Sequence, residues 1–410
     1  MKLLKITTVY QTYWKKFYAK RPELVKEPYA VQKAALDYDG FGWADFWFHA
    51  LTPLGYEVIE IIANVEPLQK AWVSENKIHL IKKEWLLKIA FEQIKSFQPT
   101  ILFLDDYFTF TPDWVTELKQ VCPSIQLVIS WCGAPYQDEK VFKAHDLVLS
   151  CIPEFVEKFR KMGHWSEHIN HAFEPRLLKR LPQTEEPEIN VSFIGQIVRS
   201  SQYHLQRKLI LEQLVEKFPV QIYSPNANFG WTDDLKQQLK ASAQKTMEML
   251  QTGGISQSWL MKVPKIGKFA TNNEQICIHL SQRLRSSIKP AVFGLEMYHT
   301  LQKSKITFNC HIDASPHSAS NMRLFEATGS GTCLLTDWKE NINTLFEPDC
   351  EVVTYKSTDE CIEKVKWLLE HPEERKTIAQ AGQNRTLKDH TFAHRAVELD
   401  DLIQKGLRQA

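Results

Sequence analysis

Arg323 and Glu326 lie three residues apart in the stretch NMRLFEATGSG, which spans residues 321–331. At this spacing two side chains share one face of a helix. A guanidinium binds phosphate, a sugar carboxylate or a hydroxyl through charge-assisted hydrogen bonds, and a carboxylate accepts hydrogen bonds from ribose hydroxyls. The pair therefore fits a nucleotide diphosphate site, and an exposed helix ion pair is the structural alternative.

The residues before this pair predict where the helix begins. Ser318 or Ser320 is a suitable N-cap, which leaves the backbone N–H groups of Ser320, Asn321 and Met322 without helical acceptors. Together with the positive end of the helix dipole, these amides would bind an anion such as a diphosphate. The glycines that follow would end the helix, although they also fit an ordinary C-cap.

Candidate catalytic acids lie in the first half of the chain. Asp45 is the first candidate for the base that removes a proton from a hydroxyl acceptor, and Asp39 is the second. Asp105 and Asp106 end an apolar strand and are alternatives, either as the base or as ligands of acceptor hydroxyls. Asp45 also fits a plainer role as a dipole partner in the first turn of a helix.

A glycine pair precedes the helix that we expect from about Trp43. The free amides of Gly40 and Gly42 would point at the same diphosphate from the opposite wall of a cleft. The triplet DYD at residues 37–39 also fits a metal-binding pattern, but three residues are a weak match. Because the chain has no CxxC or HExxH pattern, we expect neither a metal site nor a bound cofactor.

The second half offers further candidates for the same pocket. The turn at Gly195 follows an apolar strand, and Arg199 in the next loop could neutralise the diphosphate or be an ordinary surface charge. Arg207 lies on the following helix and is the weaker candidate, because it could be solvated. Tyr223 and Ser224 end the next strand, where they could contact the base of a nucleotide.

Two runs of alternating strands and helices must position these residues. Short, almost continuous apolar stretches such as TILFLDD, IQLVISW and TCLLT indicate strands that are buried on both faces of parallel sheets. We therefore predict an α/β protein with two doubly wound, Rossmann-like domains whose carboxyl edges share a cleft. Residues 1–185 would form the first domain and residues 186–388 the second.

Two segments complete this plan. Polar, mostly helical sequence at about 225–290 indicates a helical insertion in the second domain. The end of the chain is almost wholly helical, with expected breaks at Pro372 and Gly382, and residues 389–410 form a last helix.

The composition limits the class of protein. The 410 residues are 43% hydrophobic and 24% charged, a composition typical of soluble globular proteins. Because 50 basic residues nearly balance 49 acidic ones, we expect no overall positive potential that would attract nucleic acid. The apolar runs are strand-sized and the first residues lack a signal-peptide pattern, so we expect a cytoplasmic protein without a transmembrane segment. The eight scattered cysteines are expected to be reduced.

Several blocks between residues 290 and 395, including NMRLFEATGSGTCLLTD, HPEERKTIAQAGQNRTL and HTFAHR, carry a family resemblance. In this order they resemble the CgeB-like (spore maturation protein) group of GT-B glycosyltransferases, relatives of a large bacterial family. The resemblance implies a metal-independent transferase that moves a sugar from a nucleotide diphosphate sugar to a hydroxyl acceptor. It also implies that Glu326 contacts the ribose and that the last helix crosses back to the first domain. By the same resemblance, the first domain is the acceptor-side domain and the second is the nucleotide-sugar-binding domain.

One position departs from the wider family, which has a second glutamate where this chain has Ser318. Sugar recognition would then fall to other groups on the same loop, with His311, Asp313 and His317 as candidates. The departure leaves open whether the anomeric configuration is retained or inverted.

The acceptor would be a saccharide, an envelope glycan or a protein, which fits a role in polysaccharide biosynthesis. Such a role is compatible with peripheral contact with a membrane. Two other functions remain open at this point: a non-catalytic binding or assembly protein of the same fold, and an epimerase.

Overall fold

The computed structural model describes residues 1–78, 85–136, 138–182, 186–197, 205–225 and 280–408. Within them lie two six-stranded sheets, in which every pair of neighbouring strands is parallel. The predicted fold of two doubly wound α/β domains is confirmed.

The first sheet forms because apolar strands are covered by helices on both faces. Its strands are β1 (Lys2–Thr7), β2 (Glu57–Ile62), β3 (Ile101–Leu104), β4 (Leu127–Trp131), β5 (Leu147–Ser150) and β6 (Ser166–His168). They lie in the order β2, β1, β3, β4, β5, β6. The helices are α1 (Gln11–Ala19), α2 (Tyr29–Asp39), α3 (Phe46–Leu51), α4 (Glu66–Glu75), α5 (Trp85–Phe97), α6 (Pro112–Val121) and α7 (Pro153–Lys161).

The second sheet repeats this architecture. Its strands are β7 (Ile189–Ile194), β8 (Val220–Ser224), β9 (Ile288–Pro290), β10 (Ser304–Asn309), β11 (Cys333–Asp337) and β12 (Val353–Tyr355), in the order β12, β11, β10, β7, β8, β9. Its described helices are α8 (Leu205–Lys217), α9 (Gln282–Ser287), α10 (Gly294–Gln302), α11 (Arg323–Gly329), α12 (Ile342–Leu345), α13 (Thr358–Glu370) and α14 (Pro372–Asp389). A last helix, α15, spans Phe392–Leu407.

Part of the segment expected to be a helical insertion belongs to the second sheet instead. Most of that segment, residues 226–279, lies outside the described residues. The rest forms α9 and β9, and β9 pairs in parallel with β8 through Ile288 and Ile222. A three-residue edge strand is too short to leave an alternating pattern, so the sequence did not indicate it.

Gly382 does not break the last long helix of the second half, contrary to expectation. Helix α14 runs through it without interruption. A Cβ atom on Gly382 would lie 2.3 Å from the carbonyl oxygen of Glu351. The glycine therefore permits a close approach between a helix and a neighbouring backbone rather than a turn.

Helix α15 packs on the first half. The ring of Phe392 lies 5.0 Å from that of Phe46 and 5.4 Å from that of Trp47, and the Tyr56 hydroxyl donates to Asp400 at 2.5 Å. One continuous cluster of buried apolar residues includes members from both sheets. The two halves are thus joined by shared core packing.

The carboxyl edges of the two sheets face each other. Tyr10 and Tyr13, which follow β1, form an aromatic cluster with Phe293, which follows β9, with centroids 6.5 and 5.7 Å apart. On the far side of the cleft, the N–H of His317 donates to Glu154 of α7 at 3.2 Å. Ligands of open α/β sheets bind at such an edge.

No helix in the described ranges combines the length and apolar character that crossing a membrane requires.

Candidate functional site

Helix α11 begins later than the sequence predicts. It starts at Arg323 with Met322 as N-cap, and no side chain caps it. Ser318 and Ser320 lie in the preceding loop, where Ser315 donates to the Ser318 carbonyl at 2.7 Å and the Ser320 hydroxyl donates to Ser315 at 3.2 Å. The predicted serine cap is therefore wrong, because these residues stabilise the loop rather than the helix.

The backbone before α11 still presents donors. At the start of the helix, the N–H of Leu324 donates to the carbonyl of Asn321, and the N–H groups of Phe325 and Glu326 donate to the carbonyl of Met322. Between Ser320 and Arg323, no backbone N–H has an acceptor among the residues described. These amides lie at the carboxyl edge of β10, but a seven-residue helix adds only a short dipole behind them.

Arg323 and Glu326 form a buried ion pair. Arg323 Nη1 lies 2.8 Å from Glu326 Oε2, and the two side chains are 15% and 9% exposed. This burial excludes the exposed helix pair that the sequence left open. Arg323 Nη2 also donates to the carbonyl of Ile194 at 3.3 Å, so the guanidinium lies at the end of β7. Its Nε is buried without a partner in the part of the chain that the structure describes.

The charge of Glu326 reaches residues from both halves. Burial first, and then the Glu326 carboxylate, raises the pKa of the Tyr298 phenol in α10. The same two causes raise the pKa of Tyr10, which belongs to the first half. Glu326 therefore lies close enough to the facing wall to influence a group presented by it.

His311 is buried rather than open on the loop. Its Nδ1 lies 2.7 Å from Asp337 Oδ1, and its backbone N–H donates to the same oxygen at 2.9 Å. Burial acts to raise the pKa of Asp337, but the charge and hydrogen bonds of His311, together with Lys339, hold it at about 2. His311 Nε2 is buried and has no partner among the described residues.

The other two sugar-binding candidates diverge from His311. Asp313 Oδ2 accepts from the N–H of Leu205 at 3.2 Å, at the start of α8. The side chain of His317 is exposed and lies 2.8 Å from Glu340. The structure thus does not bring the three candidates together.

Arg207 connects two loops of the site, although it was the weaker of the two arginine candidates. It is buried and donates to the carbonyl of Cys310 through Nε and Nη2, at 3.2 and 2.6 Å, and to the carbonyl of Gln196 at 3.2 Å. The signal that could have revealed it is periodicity. Arg207 shares the buried face of α8 with Ile210 and Leu214, so the helical periodicity favours a buried position over the solvated one that we expected.

The remaining candidates of the second half make local contacts. The N–H of Gly195 donates to the carbonyl of Tyr223 at 3.0 Å, so this amide is already used within the sheet. The Tyr223 hydroxyl donates to Gln221 at 2.7 Å. Arg199 lies outside the described residues.

Asp45 is poorly suited to be a base. Its carboxylate receives two hydrogen bonds from Arg176, at 3.2 and 3.0 Å, and lies 3.0 Å from His49 Nε2. Burial raises the pKa of Asp45, but the hydrogen bonds and charge of Arg176 outweigh burial and leave the pKa below its ordinary value. Helix α3 begins at Phe46, with Asp45 as its N-cap residue, rather than near Trp43.

The DYD triplet lies at the end of α2, and its two carboxylates have separate partners. Asp37 lies 2.6 Å from Lys33 Nζ, and Asp39 accepts from the Tyr13 hydroxyl at 3.0 Å. Burial raises the pKa of Asp39, and the bond from Tyr13 only partly offsets this. The described residues contain no group of three or more histidine, cysteine, aspartate or glutamate side chains arranged to hold a metal ion.

The two glycines after α2 have different surroundings. Gly40 is the C-cap of α2 with φ of 69°, and a Cβ there would lie 2.5 Å from Leu177. Gly42 also has positive φ, of 67°, but no atom lies within 4 Å of the Cβ position. Gly40 therefore has a packing role, whereas the space beside Gly42 is open.

Residues 206–401 match the family described as "Glycosyl transferase-like". This segment holds α10, α11 and the buried Arg323–Glu326 pair. No curated protein is significantly similar to the chain.

Solved structures share the whole architecture at low sequence identity. Sucrose-phosphate synthase from Thermosynechococcus elongatus is 10% identical, with a TM-score of 0.53 and complete coverage of both chains. Alr3699/HepE from Anabaena, solved with UDP-glucose, is 11% identical, with a TM-score of 0.54 over 99% of this chain and 100% of that one.

A third structure, an alpha-glucosyltransferase in complex with UDP-glucose and DNA containing an abasic site, gives the same identity and TM-score over 98% and 99% of the two chains. The chain therefore has the GT-B fold of glycosyltransferases, and its residues 206–401 are glycosyl transferase-like.

Proposed function

We propose that this protein transfers a sugar from a nucleotide diphosphate sugar to a hydroxyl group of a glycan or a protein. The observation that carries the proposal is the largely buried Arg323–Glu326 pair beside backbone amides that have no acceptor among the described residues, within the segment that matches the glycosyl transferase-like family. Two of the similar structures were solved with UDP-glucose, which supports a nucleotide sugar as the donor.

The binding mode follows from the chemistry of these groups. Glu326 would accept hydrogen bonds from the ribose hydroxyls, and the amides from Ser320 to Met322 would donate to the diphosphate. Arg323 would stabilise the negative charge that develops on the leaving diphosphate. With amides and a guanidinium in this role, the reaction would need no metal ion. The quoted sequence blocks further support membership of the CgeB-like group.

A donor screen tests this function. The protein would be incubated with UDP-, GDP-, ADP- and TDP-sugars, and both nucleoside diphosphate release and thermal protection would be measured. Release together with protection by one donor is expected. Protection without release would favour the binding or assembly role, and conversion of the sugar to its epimer without release would favour an epimerase. No response to any donor would overturn the proposal.

Glu326→Gln tests the ribose assignment on the donor that the screen selects. Loss of the charged acceptor should weaken nucleotide binding by roughly tenfold or more, because hydrogen bonds to charged groups contribute about 1.5–3 kcal/mol. Binding would be measured by calorimetry with the nucleoside diphosphate. The matched control is Glu374→Gln, an exposed glutamate of α14 that should bind normally. Unchanged affinity in Glu326→Gln would remove the assignment.

A further inference from the structure

Three charged side chains, two of them buried, meet on or directly after neighbouring strands of the first sheet. Lys5 of β1 is 1% exposed, and its Nζ lies 3.2 Å from Asp105 Oδ2 and 3.5 Å from Glu60 Oε2. The ammonium also lies 5.1 Å from the centre of the Trp43 ring. Neither Lys5 Nζ nor Glu60 Oε2 has a well-aligned hydrogen bond to a described residue. The cluster is therefore held by charge rather than by a saturated hydrogen-bond network.

Such a cluster is costly as a purely structural device. Removing charges from water costs several kcal/mol per ion, and well-packed apolar residues in place of a buried ion pair are often at least as stable. Glu60 is placed by a hydrogen bond from the N–H of Phe48 at 2.8 Å. Burial, only partly opposed by Lys5, raises the pKa of Glu60 to about 7. Because burying these charges lowers the stability of the fold, we look for a function at the member of the cluster that is open to solvent.

Asp105 is the member of the cluster that is most open to solvent. It directly follows β3, so it lies at the carboxyl edge that faces the second half, and its side chain is 16% exposed against 1% for Lys5 and 2% for Glu60. Burial raises the pKa of Asp105, and the positive charge of Lys5, together with a hydrogen bond from Thr7, opposes this only in part. An ionised carboxylate with a raised pKa is a stronger base than an ordinary one.

The other acids considered as the base are each held by hydrogen-bond donors. Asp45 is bound by Arg176, and Asp39 accepts from Tyr13. Asp106, the neighbour of Asp105, caps the following turn, where it accepts from the Thr8 and Thr109 hydroxyls at 2.7 Å each.

We infer that Asp105 is the catalytic base on the acceptor side and that Lys5, balanced by Glu60, is the residue that positions it. This rests on the proposed function. The acceptor hydroxyl oxygen forms a bond to the anomeric carbon, and the bond from that carbon to the diphosphate oxygen breaks. The electron pair leaves with the diphosphate, and the hydroxyl proton moves to an oxygen of Asp105, which later releases it to solvent.

Asp105→Asn tests the assignment on the full-length protein. Nucleoside diphosphate release would be measured with the donor that the screen selects, UDP-glucose being the first probe, with water or an added sugar as acceptor. We expect a loss of at least about 100-fold, the usual contribution of a general base. Thermal protection by UDP should be unchanged, because the donor lies on the second half. Asp113→Asn, an exposed aspartate of α6, is the control and should keep full activity.

The pH profile tests the positioning role. Activity should fall as the pH drops through the pKa of Asp105, whose charged neighbours are Lys5, Glu60 and Asp106. The double variant Lys5→Met/Glu60→Gln removes the cation together with the carboxylate of Glu60, so that Asp105 is the one member of the cluster that can still be charged. It should move the acid limb to higher pH, because the cation no longer favours the carboxylate. A Lys5 with a merely structural role would leave the limb in place.

The possible outcomes distinguish a failure of the Asp105 assignment from a failure of the proposed function. If the wild type releases nucleoside diphosphate and Asp105→Asn releases it equally well, the role of Asp105 is overturned while the transferase function stands. A loss in Asp106→Asn instead would transfer the role to that neighbour and also overturn the inference. An acid limb that disappears in Glu60→Gln would assign the titration to Glu60. If the wild type responds to no donor, both the Asp105 assignment and the proposed function are overturned.

Discussion

The pair of His311 and Asp337 shows how burial sets the charge state of single residues at the carboxyl edge of the second sheet. Asp337 has a pKa of about 2 in the folded protein, below its ordinary value of 3.8, because His311 and Lys339 favour the carboxylate despite burial. A depressed folded-state pKa contributes stability that is present above the unfolded-state pKa and is lost as the pH falls through the folded-state value. The relevant window is therefore about pH 4 down to about pH 2.

Asp337→Asn should lower the free energy of unfolding by about 2 kcal/mol at pH 5, which follows from about 1.4 kcal/mol per pKa unit. The difference from the wild type should shrink as the pH falls from about 4 to 2, where the wild-type carboxyl is itself protonated. Urea unfolding across this range measures it. Glu340→Gln, at the exposed partner of His317, should change stability by less than about 0.5 kcal/mol. A difference that does not depend on pH would contradict the assignment.

Residue-level expectations from the sequence failed where the partner is distant along the chain. The i, i+3 spacing correctly brought Arg323 and Glu326 together, because helical geometry is local. Asp45 looked free for catalysis, but Arg176 lies 131 residues later and binds it in the folded protein. Spacing carries no information on such pairs, and the same holds for Lys5, Glu60 and Asp105.

At the scale of elements, strands buried on both faces could be predicted well because their apolar runs are nearly continuous. The short edge strands β6 and β9 could not, because Ser166–His168 and Ile288–Pro290 are mostly polar or contain proline and form no apolar run. Helix starts were also displaced, since the serines before α11 bond within their own loop. The hydrogen bonds that these serines make within the loop took the place of capping bonds to the helix.

Gly382→Ala tests the close approach of α14 to the backbone at Glu351. In a free helix this change would stabilise by about 1 kcal/mol. Here the new methyl group would lie 2.3 Å from a carbonyl oxygen that cannot rotate away, so we expect a net destabilisation of about 1–3 kcal/mol. Thermal and urea unfolding measure it, and Gln380→Ala, on the exposed face of the same helix, is the control. Increased stability would show that the helix can shift.

At the scale of the whole molecule, α15 ties the end of the chain to the first half. Phe392→Ala removes a ring that packs on Phe46 and Trp47 and should cost about 3–5 kcal/mol. Unfolding followed by the tryptophan fluorescence of the first half should report this loss. Val397→Ala, at an exposed position of the same helix, should have little effect. Equal effects of the two substitutions would contradict the packing described.

The same tie has a consequence during synthesis. Asp400 reaches Tyr56, which leaves the ribosome 344 residues earlier. Until the last helix emerges, the surface of α3 that it covers, including Trp47, stays exposed on a nascent chain. Because exposed apolar surface on incomplete chains promotes aggregation, this protein should depend on chaperones while it is being translated more than a protein whose domains finish in order.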